Sequence, residues 1–298
     1  MIGDAFGNYR VVAQLGSGST GVVFLAEHKR IARQVAIKVL APELTRDQQV
    51  LQRFFTEARA TSLIRHPGIV DVFDCDVDAA GRPYIVMEHL EGETLAERMR
   101  RAGRLHWSAA SLIARRVADA LGAVHDKGIV HRDLKPENVF LVGNGRDPTA
   151  AVKVLDFGVA KLLAADAVAR LTMRGTLLGT PEYMSPEQCA GAEVDHRADI
   201  YALGCILFQM LTGQPPFVTS SLRELVIAHR FRPAPSALAI CSDLPGWLDD
   251  LLARMLAKEP ERRPPSMREI SKTLCQYKTQ RWPRVGAKVP ADEDGEHR

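Results

Sequence analysis

His131-Arg132-Asp133-Leu134-Lys135-Pro136-Glu137-Asn138, followed downstream by Asp156-Phe157-Gly158, is the stretch on which the reading of this chain turns. Two β-rich runs, 139–142 and 152–155, lie between the strings and flank a loop of turn-forming residues from Gly143 to Pro148. Upstream, Ile113, Val117, Ala120, Leu121 and Val124 recur at spacings of three and four, and Gly128 supplies a helix stop. Downstream, helices are predicted over 197–211, 221–229, 245–256 and 266–275.

Further out, the first quarter reads as strands. The runs 9–15, 22–27 and 35–40 are rich in β-branched residues and punctuated by Gly16, Gly18 and Gly21. A helix fits from about 47 to 65, and His66-Pro67-Gly68 ends it, because proline disfavours helix in the residue before it. Strands are predicted again over 69–77 and 83–89, with Ala79-Ala80-Gly81 as the turn. The expected division is a strand-dominated unit over 1–88, a mainly helical unit over 89–277, and a disordered polar tail over 278–298.

Composition narrows the class. The 298 residues carry 39 Lys and Arg against 36 Asp and Glu, a balance that argues against a dedicated nucleic-acid binder. An apolar fraction of 46% excludes an intrinsically disordered chain. The longest apolar run, Ile200 to Phe208, is far short of a bilayer span, and no secretory signal is visible behind Asp4, so a cytoplasmic location is expected. Cys75, Cys189, Cys205, Cys241 and Cys275 are widely spaced, which predicts reduced, packed thiols rather than a disulfide framework or a zinc site.

Gly16-Ser17-Gly18-Ser19-Thr20-Gly21 matches G-x-G-x-x-G, a spacing shared by dinucleotide sites and by glycine hairpins that cover nucleotide phosphates. The last glycine leads into Val22-Val23-Phe24-Leu25, a strand rather than a helix, which favours the hairpin, although an ordinary Gly/Ser turn has the same composition. Lys38 ends the apolar string Val35-Ala36-Ile37-Lys38. Such a lysine commonly snorkels to solvent. Val50, Phe54, Glu57 and Ile64, however, fall on one helical stripe, so Glu57 points with the apolar face and needs a cation; Lys38 is the natural candidate.

Together these strings, in this order and from about Tyr9 to Tyr277, resemble the catalytic domain of the eukaryotic-type Ser/Thr protein kinases, as found also in bacteria. The resemblance implies an α+β, bilobal protein-kinase-like fold: a small antiparallel sheet plus one helix, a hinge, and a larger mainly helical lobe. It implies transfer of the γ-phosphoryl group of ATP to Ser or Thr hydroxyls of proteins. On it, Asp133 takes the substrate hydroxyl proton, Lys135 steadies the transferring group, and Asn138 and Asp156 hold Mg2+, with Mn2+ as the alternative. Gly16, Ser17, Gly18 and Gly21 cover the phosphates of ATP, and Lys38, paired with Glu57, binds them. Val23 and Ala36 cover the adenine, Met87 guards its pocket, and the linker from Glu88 to Leu90 offers backbone hydrogen bonds.

The same resemblance makes 179–187 the peptide-docking loop, with Ser185 where the family usually has Ala. Glu187 would pair with Arg263, Asp199 would anchor the catalytic loop, and Thr180 would bridge Asp133 and Lys135. Arg132 would receive a phosphate placed on Thr172 or Thr176 by autophosphorylation in a transient homodimer. Two other classes share such a core: a scaffold that binds partners without chemistry, and a small-molecule phosphotransferase. The presence of Lys38, Asp133, Asn138 and Asp156 opposes the first, and the long segment from Gly158 to Glu187 opposes the second.

Overall fold

The strings Gln34–Leu40 and Pro83–Glu88 are apolar on both faces because both faces are covered. In the computed structural model, which describes residues 1–18, 20–143, 151–156 and 181–276, they are the centre of an antiparallel sheet. Its strands are β1 (Ala5–Phe6), β2 (Tyr9–Gly18), β3 (Gly21–His28), β4 (Gln34–Leu40), β5 (Val72–Val77) and β6 (Pro83–Glu88), in the order β1-β2-β3-β4-β6-β5. One face packs Phe6, Val11, Phe24, Val35, Ile37, Tyr84 and Val86 together. The other packs Leu40 and Ile85 against Phe54 and Ala58 of helix α1 (Gln48–Ser62). The Asp47 side chain caps α1 by accepting the Gln49 and Val50 amides at 2.8 and 3.3 Å.

Helix α1 ends at Ser62, and β5 starts at Val72 rather than Ile69. The intervening residues have another partner. Gly68 O accepts the Val154 amide at 2.8 Å, and the Val70 amide donates to Val154 O at 3.2 Å. Their hydrogen bonds go to the second lobe instead of the first sheet, which no local pattern announces.

That second lobe opens with β7 (Gly92–Thr94), α2 (Leu95–Ala102) and α3 (Trp107–His125), then β8 (Val139–Val142) and β9 (Val152–Val154). Strands β7, β8 and β9 form a small antiparallel sheet in that order. After them come α4 (Pro186–Ala190), α5 (Arg197–Thr212), α6 (Leu222–Phe231), α7 (Ala237–Ile240), α8 (Gly246–Met255) and α9 (Met267–Gln276). Helix α5 is buried nearly all round, and an added Cβ on its Gly204 would lie 3.0 Å from the Met255 Cβ of α8. The architecture is the expected one: an antiparallel sheet with one helix, followed by a mainly helical lobe. No helix among the described residues is long and apolar enough to cross a membrane.

Candidate active site

Catalytic-loop residues 131–138 are held by their main chain. Asp199, on the first turn of α5 and 1% exposed, accepts the His131 amide on Oδ2 and the Arg132 amide on Oδ1, both at 2.8 Å. His125 Nε2 reaches the same Oδ2 at 2.8 Å. Burial pushes the Asp199 carboxyl up, but the His125 hydrogen bond and the nearby His131 outweigh it and hold it below the ordinary aspartate value. The Asp133 amide donates to His131 Nδ1 at 3.3 Å, while His131 Nε2 lies 3.0 Å from the Leu155 carbonyl. One neutral tautomer satisfies both contacts, so His131 is a buried brace. The Gln188 side chain adds a hydrogen bond to Arg132 O at 2.8 Å. These ties keep Arg132 at φ +64°, a left-handed conformation that costs a non-glycine residue about 1 kcal/mol or more.

Lys135 Nζ lies 3.3 Å from Asp133 Oδ2. Asn138 is buried and donates from Nδ2 to Asp133 O at 2.9 Å, which leaves its Oδ1 as a hard-oxygen donor. Leu155 N donates to Asn138 O at 2.8 Å and brings Asp156, itself at φ +42°, to the same place. Asp156 Oδ1 accepts from Lys38 Nζ at 2.8 Å. Lys38 thus contacts Asp156 rather than its expected partner. Glu57 is close enough to act through space but makes no ion pair with Lys38 within 4 Å. Burial pushes the Lys38 ammonium down, yet Asp156 and Glu57 more than reverse it. The Glu57 carboxyl is pushed up to about 8 by burial, with Lys38 offsetting only part and Asp156 and Asp133 adding to the rise.

Strand register explains why the expected nucleotide residues share a surface. Val23 lies opposite Lys38, Ala36 opposite Met87, and Leu25 opposite Ala36, so Val23, Ala36, Lys38 and Met87 occupy one face of the sheet. Gly16, Ser17 and Gly18 pair with Val23, Val22 and Gly21 in the hairpin above it. The glycines differ in kind. A Cβ on Gly21 would lie 2.0 Å from Val39 O, whereas a Cβ on Gly16 or Gly18 would meet nothing within 4 Å among the described residues. Gly21 is required by packing; Gly16 and Gly18 leave open space where phosphates would approach. Beyond Met87, the amide of Leu90 has no hydrogen-bond partner among the described residues.

The docking end is equally fixed. Arg263 Nη1 and Nη2 grip Glu187 at 2.7 and 2.8 Å, and the same guanidinium donates to the carbonyls of Ala257, Arg197 and Lys258. Ser185 caps α4 in a reciprocal box with Gln188. Phe157, Gly158, Thr172, Thr176 and Thr180 lie outside the described residues. Sequence reasoning passed over His125, Gln188 and Lys153. Only Lys153 carries a readable signal, a charged residue between Val152 and Val154 of an apolar strand.

A fold of this kind, with a glycine hairpin over a Lys–Asp pair and a loop braced on a buried aspartate, defines a protein kinase domain. The chain belongs to that family: the protein kinase domain model matches residues 9–275. It is 46% identical over 264 residues to Serine/threonine-protein kinase Pkn1 of Myxococcus xanthus, covering 88% of this chain and 37% of that protein. It is 39% identical over 259 residues to Serine/threonine-protein kinase PknB of Mycobacterium tuberculosis, covering 86% of this chain and 40% of that protein. The crystal structure of the Mycobacterium tuberculosis PknI kinase domain superposes with a TM-score of 0.72 at 30% identity, covering 93% of this chain and 98% of that one. The chain spans about two-fifths of the length of the first two relatives.

Proposed function

We propose that this chain is an active Ser/Thr protein kinase that moves the γ-phosphoryl group of ATP onto protein hydroxyls. The observation that carries the reading is the convergence of Asp133, Lys135 and Asn138 with the Lys38–Asp156 pair beneath an open glycine hairpin. The substrate hydroxyl oxygen attacks the γ-phosphorus, its proton passes to the Asp133 carboxylate, and the bond to the β,γ-bridging oxygen breaks to release ADP. Lys135, beside Asp133, neutralises charge on the transferring group. Met87, Val23 and Ala36 enclose the adenine, and the Leu90 amide and Glu88 carbonyl receive its edge. On this reading residues 1–88 make up the nucleotide lobe and residues 89–277 the catalytic and substrate lobe.

The donor set fits a hard cation. Asn138 has spent its NH2 on Asp133 O and keeps an amide oxygen, and Asp156 is a carboxylate. Asn138 and Asp156 would hold Mg2+ or Mn2+, which when bound neutralises triphosphate charge. Nucleotide phosphates would draw Lys38 from Asp156 toward Glu57; a nucleotide-bound structure with Lys38 still on Asp156 would count against this exchange.

Regulation by the segment before Glu187 belongs to the same reading. Arg132 Nε is buried and has no hydrogen-bond partner among the described residues, which suits a guanidinium awaiting an anion. Thr172 and Thr176 are the proposed acceptors, phosphorylated by a second copy of the chain. Incubation with Mg-ATP followed by phosphosite mapping tests both parts. Wild-type protein should gain phosphate at Thr172 or Thr176. Asp133→Asn should bind nucleotide as before but turn over at least about a hundredfold more slowly. Undiminished turnover in that variant would sink the catalytic assignment, and phosphate only elsewhere would sink the regulatory one.

A further inference from the structure

Three segments from different parts of the cleft meet at the ion pair of Glu88 and Lys153. Glu88 closes β6 at the start of the linker, and its Oε1 accepts the Asp71 amide at 2.7 Å while pairing with Lys153 Nζ. The Glu88 amide returns a hydrogen bond to Asp71 O at 2.9 Å. Lys153 stands in β9, three residues before Asp156, and also donates to Ile69 O at 3.0 Å. Residues 69–71 follow α1, the helix that carries Glu57. The pair is largely enclosed, with side-chain exposures of 14% for Lys153 and 21% for Glu88. Besides this pair, β9 is held by the burial of Val152 and Val154 in the core of the helical lobe, three residue pairs with β8, a bridge to Ile69 and the backbone hydrogen bonds to Gly68 and Val70. One lysine therefore joins the linker, the loop after α1 and the strand leading to Asp156.

We propose that Lys153 is a positioning residue for Mg-ATP, fixing through Glu88 the separation between the adenine linker and Asp156. The inference rests on the kinase reading above. ATP reaches from the linker to Asp156, so its fit depends on that separation. A charge-assisted hydrogen bond shielded from water is short and directional enough to set it. Neither side chain of the pair is asked to touch the reacting atoms. Its loss should therefore appear in nucleotide affinity and not in turnover at saturation.

The test compares Mg-ATP and adenosine, which lacks the phosphates that reach Asp156. Lys153→Met should raise both KM for ATP and Kd for Mg-ATP about five- to tenfold, with kcat within about twofold of wild type. Adenosine affinity should stay as in the wild type. Lys153→Arg should restore Mg-ATP affinity, and adding Glu88→Gln to Lys153→Met should weaken binding little further, because the two act as one unit. Thermal melts report whether the variants are folded, and Lys153→Gln replaces the Met variant if that one is not. Unchanged Mg-ATP affinity, equal losses for adenosine and Mg-ATP, or a rise in kcat would each overturn the proposal. Wild-type protein assayed alongside tests the kinase reading separately: absence of transfer there rejects that reading, while the titrations still decide the role of Lys153.

Discussion

Gly16, Gly18 and Gly21 look alike in the sequence and differ in three dimensions. Gly21 lies against the backbone of β4, where a Cβ would come within 2.0 Å of Val39 O. Backbone cannot step aside as a flexible side chain can, so Gly21→Ala should cost about 1–3 kcal/mol of stability in urea denaturation. Gly16→Ala and Gly18→Ala have open space and should stay within about 0.5 kcal/mol of wild type, their effect falling on KM for ATP instead. If Gly21→Ala proves as stable as Gly16→Ala, the packing account of the third glycine is wrong. A motif names three positions; only the contacts divide them between fold and ligand. The same holds for Lys38, where the sequence named a buried lysine and an acid nearby. Which of Glu57 and Asp156 it touches depends on long-range geometry that no helical stripe encodes.

Elements with long periodic patterns were legible. The strands 22–27 and 35–40 and the helix 197–211 lie within a residue of the observed β3, β4 and α5 at each end, because alternation and apolar runs state their burial directly. Strand β2 runs on to Gly18, past the expected end at Leu15, because glycines that read as punctuation are paired into the hairpin. Elements too short for a period, β1, β7 and α4, went unread. Helix α2 was missed although Thr94 and Glu97 form a capping box at its start, a signal available in the sequence. Within the site, the Asp199 brace and the Glu187–Arg263 pair were expected from resemblance and could not have been found from spacing, since the partners lie far apart in the chain. Arg263 links α4 to the loop after α8, and its guanidinium also holds three carbonyls. Arg263→Met should therefore cost about 3–5 kcal/mol, because Glu187 would be left as an unpaired, enclosed carboxylate. Adding Glu187→Met should recover part of the loss. A loss under about 1 kcal/mol for the single variant, measured by urea denaturation, would show that the junction carries little load.

At the scale of the molecule, burial is unequally divided. The largest apolar cluster surrounds α5 in the helical lobe, while the sheet lobe splits its apolar residues between two faces. Strand β5 is an edge with most of its residues exposed. The lobes should then open at different free energies. Amides of α5 should exchange on the order of a hundredfold more slowly than those of β5, read by hydrogen-exchange mass spectrometry. Equal protection across both lobes would indicate a single cooperative unit.

Arg132, in the loop 131–138, and Asp156, just after β9, are both bent into left-handed backbone that suits glycine or asparagine better. Natural variation that answered only to heat resistance would drift at these two positions toward the relaxed residues. A lineage that drifted so would inherit a sturdier protein without the guanidinium and without the carboxylate. Holding a guanidinium and a carboxylate on such backbone therefore costs this chain some robustness, the trade expected where side-chain chemistry rather than stability sets the residue.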